Sequence, residues 1–98
     1  MTNFRRLYSV RFSASYQWPG PLGAPRIVTK DGREMEVPRP AVLTIEEYGT
    51  PPSLIFRFLD DDGHEMTHDH PYDLDQAFAD AEREFAIPKA DWTAENSN

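Results

Sequence analysis

Apolar and polar residues alternate along Tyr8-Ser9-Val10-Arg11-Phe12-Ser13-Ala14-Ser15-Tyr16, with the apolar side chains on even positions. A period of two puts one row of side chains in a core and the other in water, which predicts a strand of an antiparallel sheet rather than a doubly covered parallel one. The pattern breaks at Trp18-Pro19-Gly20-Pro21-Leu22-Gly23-Ala24-Pro25, whose three prolines and two glycines do not continue a ladder; this stretch reads as an ordered loop. Residues 26–30 and 33–37 flank Asp31-Gly32, a pair suited to a tight hairpin in which both turn positions take positive φ. Residues 41–48 read as a further strand with Ala41, Leu43 and Ile45 on one face, and residues 53–59 as another with Leu54, Phe56 and Phe58 inward. Gly49-Thr50-Pro51-Pro52 and Asp60-Asp61-Asp62-Gly63 supply turns, and a short strand near 66–70 pairs back before Pro71.

After Asp73 the spacing changes from two to that of a helix. Leu74, Ala77, Phe78, Ala81 and Phe85 form one apolar stripe, while Asp75, Asp80, Glu82, Arg83 and Glu84 fall elsewhere. Asp73 can cap the free amides at the start, with Gln76 completing a capping box, and Pro88 stops the helix. Lys89-Ala90-Asp91-Trp92 then forms a short turn that folds Trp92 back onto the core. The expectation is an α+β fold, an antiparallel sheet of about five to six strands with one C-terminal amphipathic helix packed on one face. Residues 1–92 make one domain and 93–98 a frayed tail.

The chain has 98 residues and no cysteine, so disulfides, thiolate metal sites and cysteine nucleophiles are excluded. No run of residues resembles a secretory leader or a membrane span, and the expectation is a soluble cytoplasmic protein. Net charge is −7, unevenly placed: residues 1–40 carry seven Lys/Arg against three Asp/Glu, and residues 41–98 carry three against fourteen. From Asp60 to Glu84 there are ten acidic residues and one basic residue, Arg83. A surface built from this segment repels nucleic acid and attracts a basic protein. The candidate partner-binding residues are Asp60, Asp61, Asp62, Glu65, Asp69, Asp75, Asp80 and Glu84.

Candidate chemistry is sparse. His64-Glu65-Met66-Thr67-His68 matches the H-E-x-x-H pattern of zinc proteases, which works on a helix, where residues four apart share a face. Gly63 before it and Pro71 after it argue for extended chain, on which the two imidazoles stand about 13 Å apart, beyond the reach of one ion. A metal-dependent enzyme using His64, His68 and His70 is therefore an alternative without a full ligand set, and the expectation is no metal, no cofactor and no enzymatic activity. Asp60-Asp61-Asp62-Gly63 fails the calcium-loop pattern, because Phe58 and Asp69 stand where an acid and a glutamate are required. No phosphate-binding glycine loop or nucleophile elbow is present.

The C-terminal half carries a resemblance. Leu54-Ile55-Phe56-Arg57-Phe58, the Asp-Gly turn, residues 72–85 and Asp91-Trp92 resemble small bacterial proteins encoded beside polymorphic toxins as candidate immunity proteins. Those proteins place Trp-His before the helix, where this chain has Pro71-Tyr72. The resemblance implies inhibition of a toxin by direct binding and transfers no catalytic residue. An inhibitor that mimics nucleic acid, of the anti-CRISPR kind, is the alternative with the same electrostatics.

Overall fold

A computed structural model describes residues 3–16, 18, 23–24 and 26–95. Its elements in chain order are β1 (Arg5–Arg11), β2 (Arg26–Val28), β3 (Glu34–Glu36), β4 (Val42–Tyr48), β5 (Ser53–Leu59), β6 (Glu65–Asp69), α1 (Leu74–Phe85), a 3-10 turn at Lys89–Asp91 and β7 (Thr93–Ala94). Five strands form an antiparallel sheet in the order β6-β5-β4-β1-β7, and among the described residues β2 pairs only with β3, in a separate hairpin. The fold is α+β with one C-terminal helix, as the periodicities predict.

Alternation decides which residues face that helix. Leu43 pairs with Phe58 and Val10, and Ile45 with Phe56 and Tyr8, so one row crosses β1, β4 and β5 on the same face. Against it the helix lays Ala77, Phe78, Ala81 and Phe85, all buried, and Trp92 folds back between Phe56 and Phe78 at ring distances of 5.8 and 5.7 Å. Burying a side chain such as Phe58 or Phe85 contributes about 2–3 kcal/mol, so this layer dominates the stability of so small a chain. The small residues Ala77 and Ala81 let the helix backbone approach the sheet while the phenylalanines fill either side.

The helix ends are set by local chemistry. Asp73 accepts from the backbone N–H of Gln76 at 2.8 Å, the expected cap, whereas the Gln76 side chain accepts from the N–H of Tyr72 rather than that of Asp73. At the other end Ala86 takes φ 56°, and the N–H groups of Ala86 and Ile87 bond back to the carbonyls of Glu82 and Ala81. The bond from Ala86 to Glu82 is that of an αL cap, with alanine at the left-handed position that glycine ordinarily holds.

Four expectations change. The first strand runs over Arg5–Arg11, not 8–16: the chain turns at Ser13, where Tyr16 N–H bonds Ser13 C=O, although Phe12 and Tyr16 both still pack on the core. At Asp31-Gly32 only Gly32 has positive φ, because Thr29 closes the turn with bonds to both Gly32 and Arg33; Asp60-Asp61-Asp62-Gly63 repeats the same bonding pattern. Thr93 and Ala94 are not frayed but pair with Ser9 and Tyr8, and Glu95 N–H bonds Leu7 C=O. The sheet's second face is also not uniformly wet, since Thr44, Glu46, Ile55 and Leu59 on it are buried. The proline-glycine loop expected at 18–25 lies outside the described residues except for Trp18, Gly23 and Ala24, and so do residues 96–98.

The left-handed alanine supplies a test. Strain from its Cβ costs about 1–2 kcal/mol, against a glycine entropy cost of about 0.5–1 kcal/mol. Ala86→Gly should therefore stabilise the fold by about 0.5–1 kcal/mol, read as a higher urea midpoint at unchanged slope.

Candidate functional site

Two polar regions are built by the strands flanking the Asp60 turn, one on each face of the sheet. The first was not foreseen from the sequence. Glu46 alternates with Ile45 on β4 and so points away from the helix, yet it is only 3% exposed. Its carboxylate accepts from Thr44 Oγ1 at 2.7 Å and from Arg57 Nη1 at 3.2 and 3.3 Å, with Arg6 Nε at 3.8 Å. Arg57 Nε also donates to Glu65 Oε1 at 2.9 Å, and Glu65 Oε2 lies 3.0 Å from His68 Nδ1. A carboxylate only accepts, so this contact places the His68 proton on Nδ1. Burial disfavours the charge of Glu65, but the bonds from His68 and Arg57 outweigh it and hold the carboxyl below the usual glutamate range. Burial likewise opposes the charge of Arg57, while Glu65 and Glu46 prevail and keep the guanidinium more firmly protonated than usual.

Aromatic rings border this chain of ion pairs. Arg57 lies 5.0 Å from the centre of the Phe4 ring, Phe4 meets Tyr48 at 5.4 Å, and the rings of His68 and His70 stand 5.0 Å apart. Together with Ile55 and Glu65 they line an open cavity of about 400 Å³. Its charges are mutually satisfied, so it presents rings and paired ions rather than a field of one sign.

The second region contains the acids singled out in the sequence, and the structure divides them. Asp60 is consumed by its turn, where Oδ1 accepts the N–H groups of Asp62 and His64, each at 2.9 Å. Asp61 and Asp62 are exposed in that turn, and Asp75 is exposed in the first turn of α1, where the helix dipole favours a negative charge. Glu65 belongs to the ion-pair chain on the opposite face. Asp69, Asp80 and Glu84 come together: Asp69 sits beside Phe56 on the helix-facing row, and with the two helix acids it borders a crevice over Phe56, Phe58 and Pro71. Burial pushes the Glu84 carboxyl up, and Asp80 and Asp69 push it further, with partial relief from Arg83. Arg83 itself is bound to Asp80 at 2.7 Å.

The histidines do not form a metal centre together. The H-E-x-x-H segment enters a strand, His68 turns to Glu65, and His70 Nδ1 lies 3.4 Å from the carbonyl of Leu54. Among the described residues, the side chains whose ligand atoms come within 4.8 Å of one another are Asp60, Asp62 and His64, an exposed group at the turn. No helix among the described residues is long and apolar enough to cross a membrane. Comparison with protein-family models, with curated proteins and with solved structures gives no match.

Two outcomes follow from this geometry. Glu46→Gln removes a buried charge that accepts from Thr44 and Arg57 and pairs with Arg6, and should destabilise the fold by about 2 kcal/mol in urea unfolding. Glu84 has its folded pKa raised above the unfolded value, so its ionisation opposes folding: its contribution is favourable at low pH and is lost as pH rises through the folded pKa. Glu84→Gln should therefore raise the urea midpoint at pH 7, with the gap to the parent protein closing as the pH falls toward about 4.

Proposed function

We propose that this protein is a small acidic inhibitor that neutralises a basic partner protein by direct binding, an immunity-type protein toward a toxin. The observation that carries the reading is the convergence of Asp69, Asp80 and Glu84 from a strand and a helix, with Arg83 as their close counter-charge. Three carboxylates held together at a surface disfavour one another, and a lysine or arginine brought in by a partner converts that repulsion into attraction. The surrounding residues strengthen the field. Asp61, Asp62 and Asp75 are exposed, and among the described residues none of the three makes an ion pair. Four of the six arginines of the N-terminal half are engaged elsewhere: Arg5 with Glu47, Arg6 with Glu46, Arg26 with Glu34 and Glu36, and Arg33 with Asp31. Arg39 bonds the Ser13 carbonyl, and it borders an open cavity together with Arg11, Asp60 and Asp61. The acids at the end of β6 and on α1 are thus left to act outward. A field of this kind speeds encounter with a cationic surface and covers the site at which that surface would hold its own anionic substrate.

The test is kinetic. A partner captured by crosslinking and then purified should present a basic contact surface, and its association rate should fall roughly tenfold between low salt and about 0.5 M salt. Asp69→Asn, Asp80→Asn and Glu84→Gln together should slow association at low salt and remove most of that salt dependence. A neutral or acidic contact surface, or association kinetics that the triple variant leaves unchanged, would overturn the reading.

A further inference from the structure

A sheet ordered β6-β5-β4-β1-β7 has two outer strands, and they differ in what they offer. β7 is two residues long, whereas β6 has five. Among the described residues no strand lies on the outer side of β6, so alternate N–H and C=O groups along it point away from β5. A bulge at Met66, opposite the step from Phe58 to Leu59, interrupts its beginning, and Pro71 contributes no N–H at its end. Residues 67–69 remain as a regular stretch able to pair, with the His70 N–H following it.

The two faces beside this edge carry different charge. On the open face Glu65 is already held by Arg57 and His68. On the helix face Asp69, Asp80 and Glu84 crowd one another. A strand laid along β6 continues the pleat, so every second side chain of it stands on the helix face beside these three carboxylates and the others stand beside His68. A second copy of this chain is the wrong occupant, because its β6 would bring a second group of Asp69, Asp80 and Glu84 toward the first.

Resting on the partner reading above, we propose that β6 docks an extended basic segment of the partner by edge pairing, with lysine or arginine at alternate positions on the helix-facing row and uncharged residues between them. Main-chain hydrogen bonds then supply the register, and the carboxylate row selects the charge pattern.

The full chain and a synthetic peptide of alternating lysine with threonine or valine test this. Titration at low salt should shift and protect the amides of residues 67–70. Asp69→Asn should weaken binding about tenfold, Glu65→Gln less than about twofold, and methylation of alternate peptide nitrogens about tenfold, since it keeps the charge and deletes the edge bonds. Asp69 is exposed, and the circular dichroism of its variant should match that of the parent protein. Equal binding of the methylated peptide would show attraction by charge alone and overturn edge docking while leaving the acidic-inhibitor reading intact. Equal losses from Glu65→Gln and Asp69→Asn would overturn the assignment of the helix-facing row. Failure of both peptides to bind, with a natural partner still associating in a salt-dependent way, would likewise overturn edge docking alone; association of that partner insensitive to salt would sink the reading beneath it.

Discussion

A buried carboxylate at the centre of the sheet sets the terms for everything around it. Glu46 stands on β4, the strand that pairs along its length with both β1 and β5, and arginines reach its carboxylate from either side. Arg6 comes from β1 and Arg57 from β5, so a one-residue slip of either pairing would turn that arginine to the helix side and strand the charge. Between β4 and β5 the hydrophobic row made by Leu43, Ile45, Phe56 and Phe58 imposes the same register from the opposite face. Between β1 and β4 a bulge at Leu7 shifts the register by one residue, so that Arg6 lies opposite Glu46 on the open face while Tyr8 and Val10 stay opposite Ile45 and Leu43 on the helix face.

That arrangement also sorts the acids of the chain. Glu46 and Glu65 are drawn into pairs with arginines on the open face, Glu47 pairs with Arg5 at the end of the other row, and the hairpin β2–β3 keeps its own arginines and acids together. Of the acids from Asp60 to Glu84, what the pairs leave over lies in the turn before β6, at the end of β6 and on α1. The acidic segment from Asp60 to Glu84 is consequently not one continuous patch: Asp60 serves its turn, Glu65 serves the sheet, and Asp69, Asp80 and Glu84 gather on the helix side.

Much of this was legible in the residues, and the parts that were not share a cause. Period-two alternation located β4 and β5, helical spacing located α1, and Asp73 marked its start, because each of these depends on neighbours close in the chain. The end of β1 was misplaced because Phe12 and Tyr16 keep the alternating phase after the backbone has turned; Tyr16 reaches the core from a bend, its hydroxyl bonding the Phe85 carbonyl at 2.6 Å. Arg5 and Arg6 were passed over as strand residues because they lack apolar partners, although they pair with Glu47 and Glu46. Glu46 is not singled out by the pattern, since alternation reports only that a side chain opposes the core and is silent on whether long arginine side chains cover it. Arg6, Glu46, Arg57 and Glu65, alternating in sign on successive strands, were the available clue, but using it required registers that only the folded sheet defines.

Both described indoles report on the same seam. Trp92 is enclosed by Phe56 and Phe78, and Trp18 stacks on Phe85 at 5.4 Å while its ring N–H bonds Val37. Each touches a phenylalanine of α1, so intrinsic emission from this chain reads out the seating of helix on sheet without any label. A ligand settling along the outer flank of β6 would leave that colour nearly untouched, whereas one that pried the layers apart would redden it.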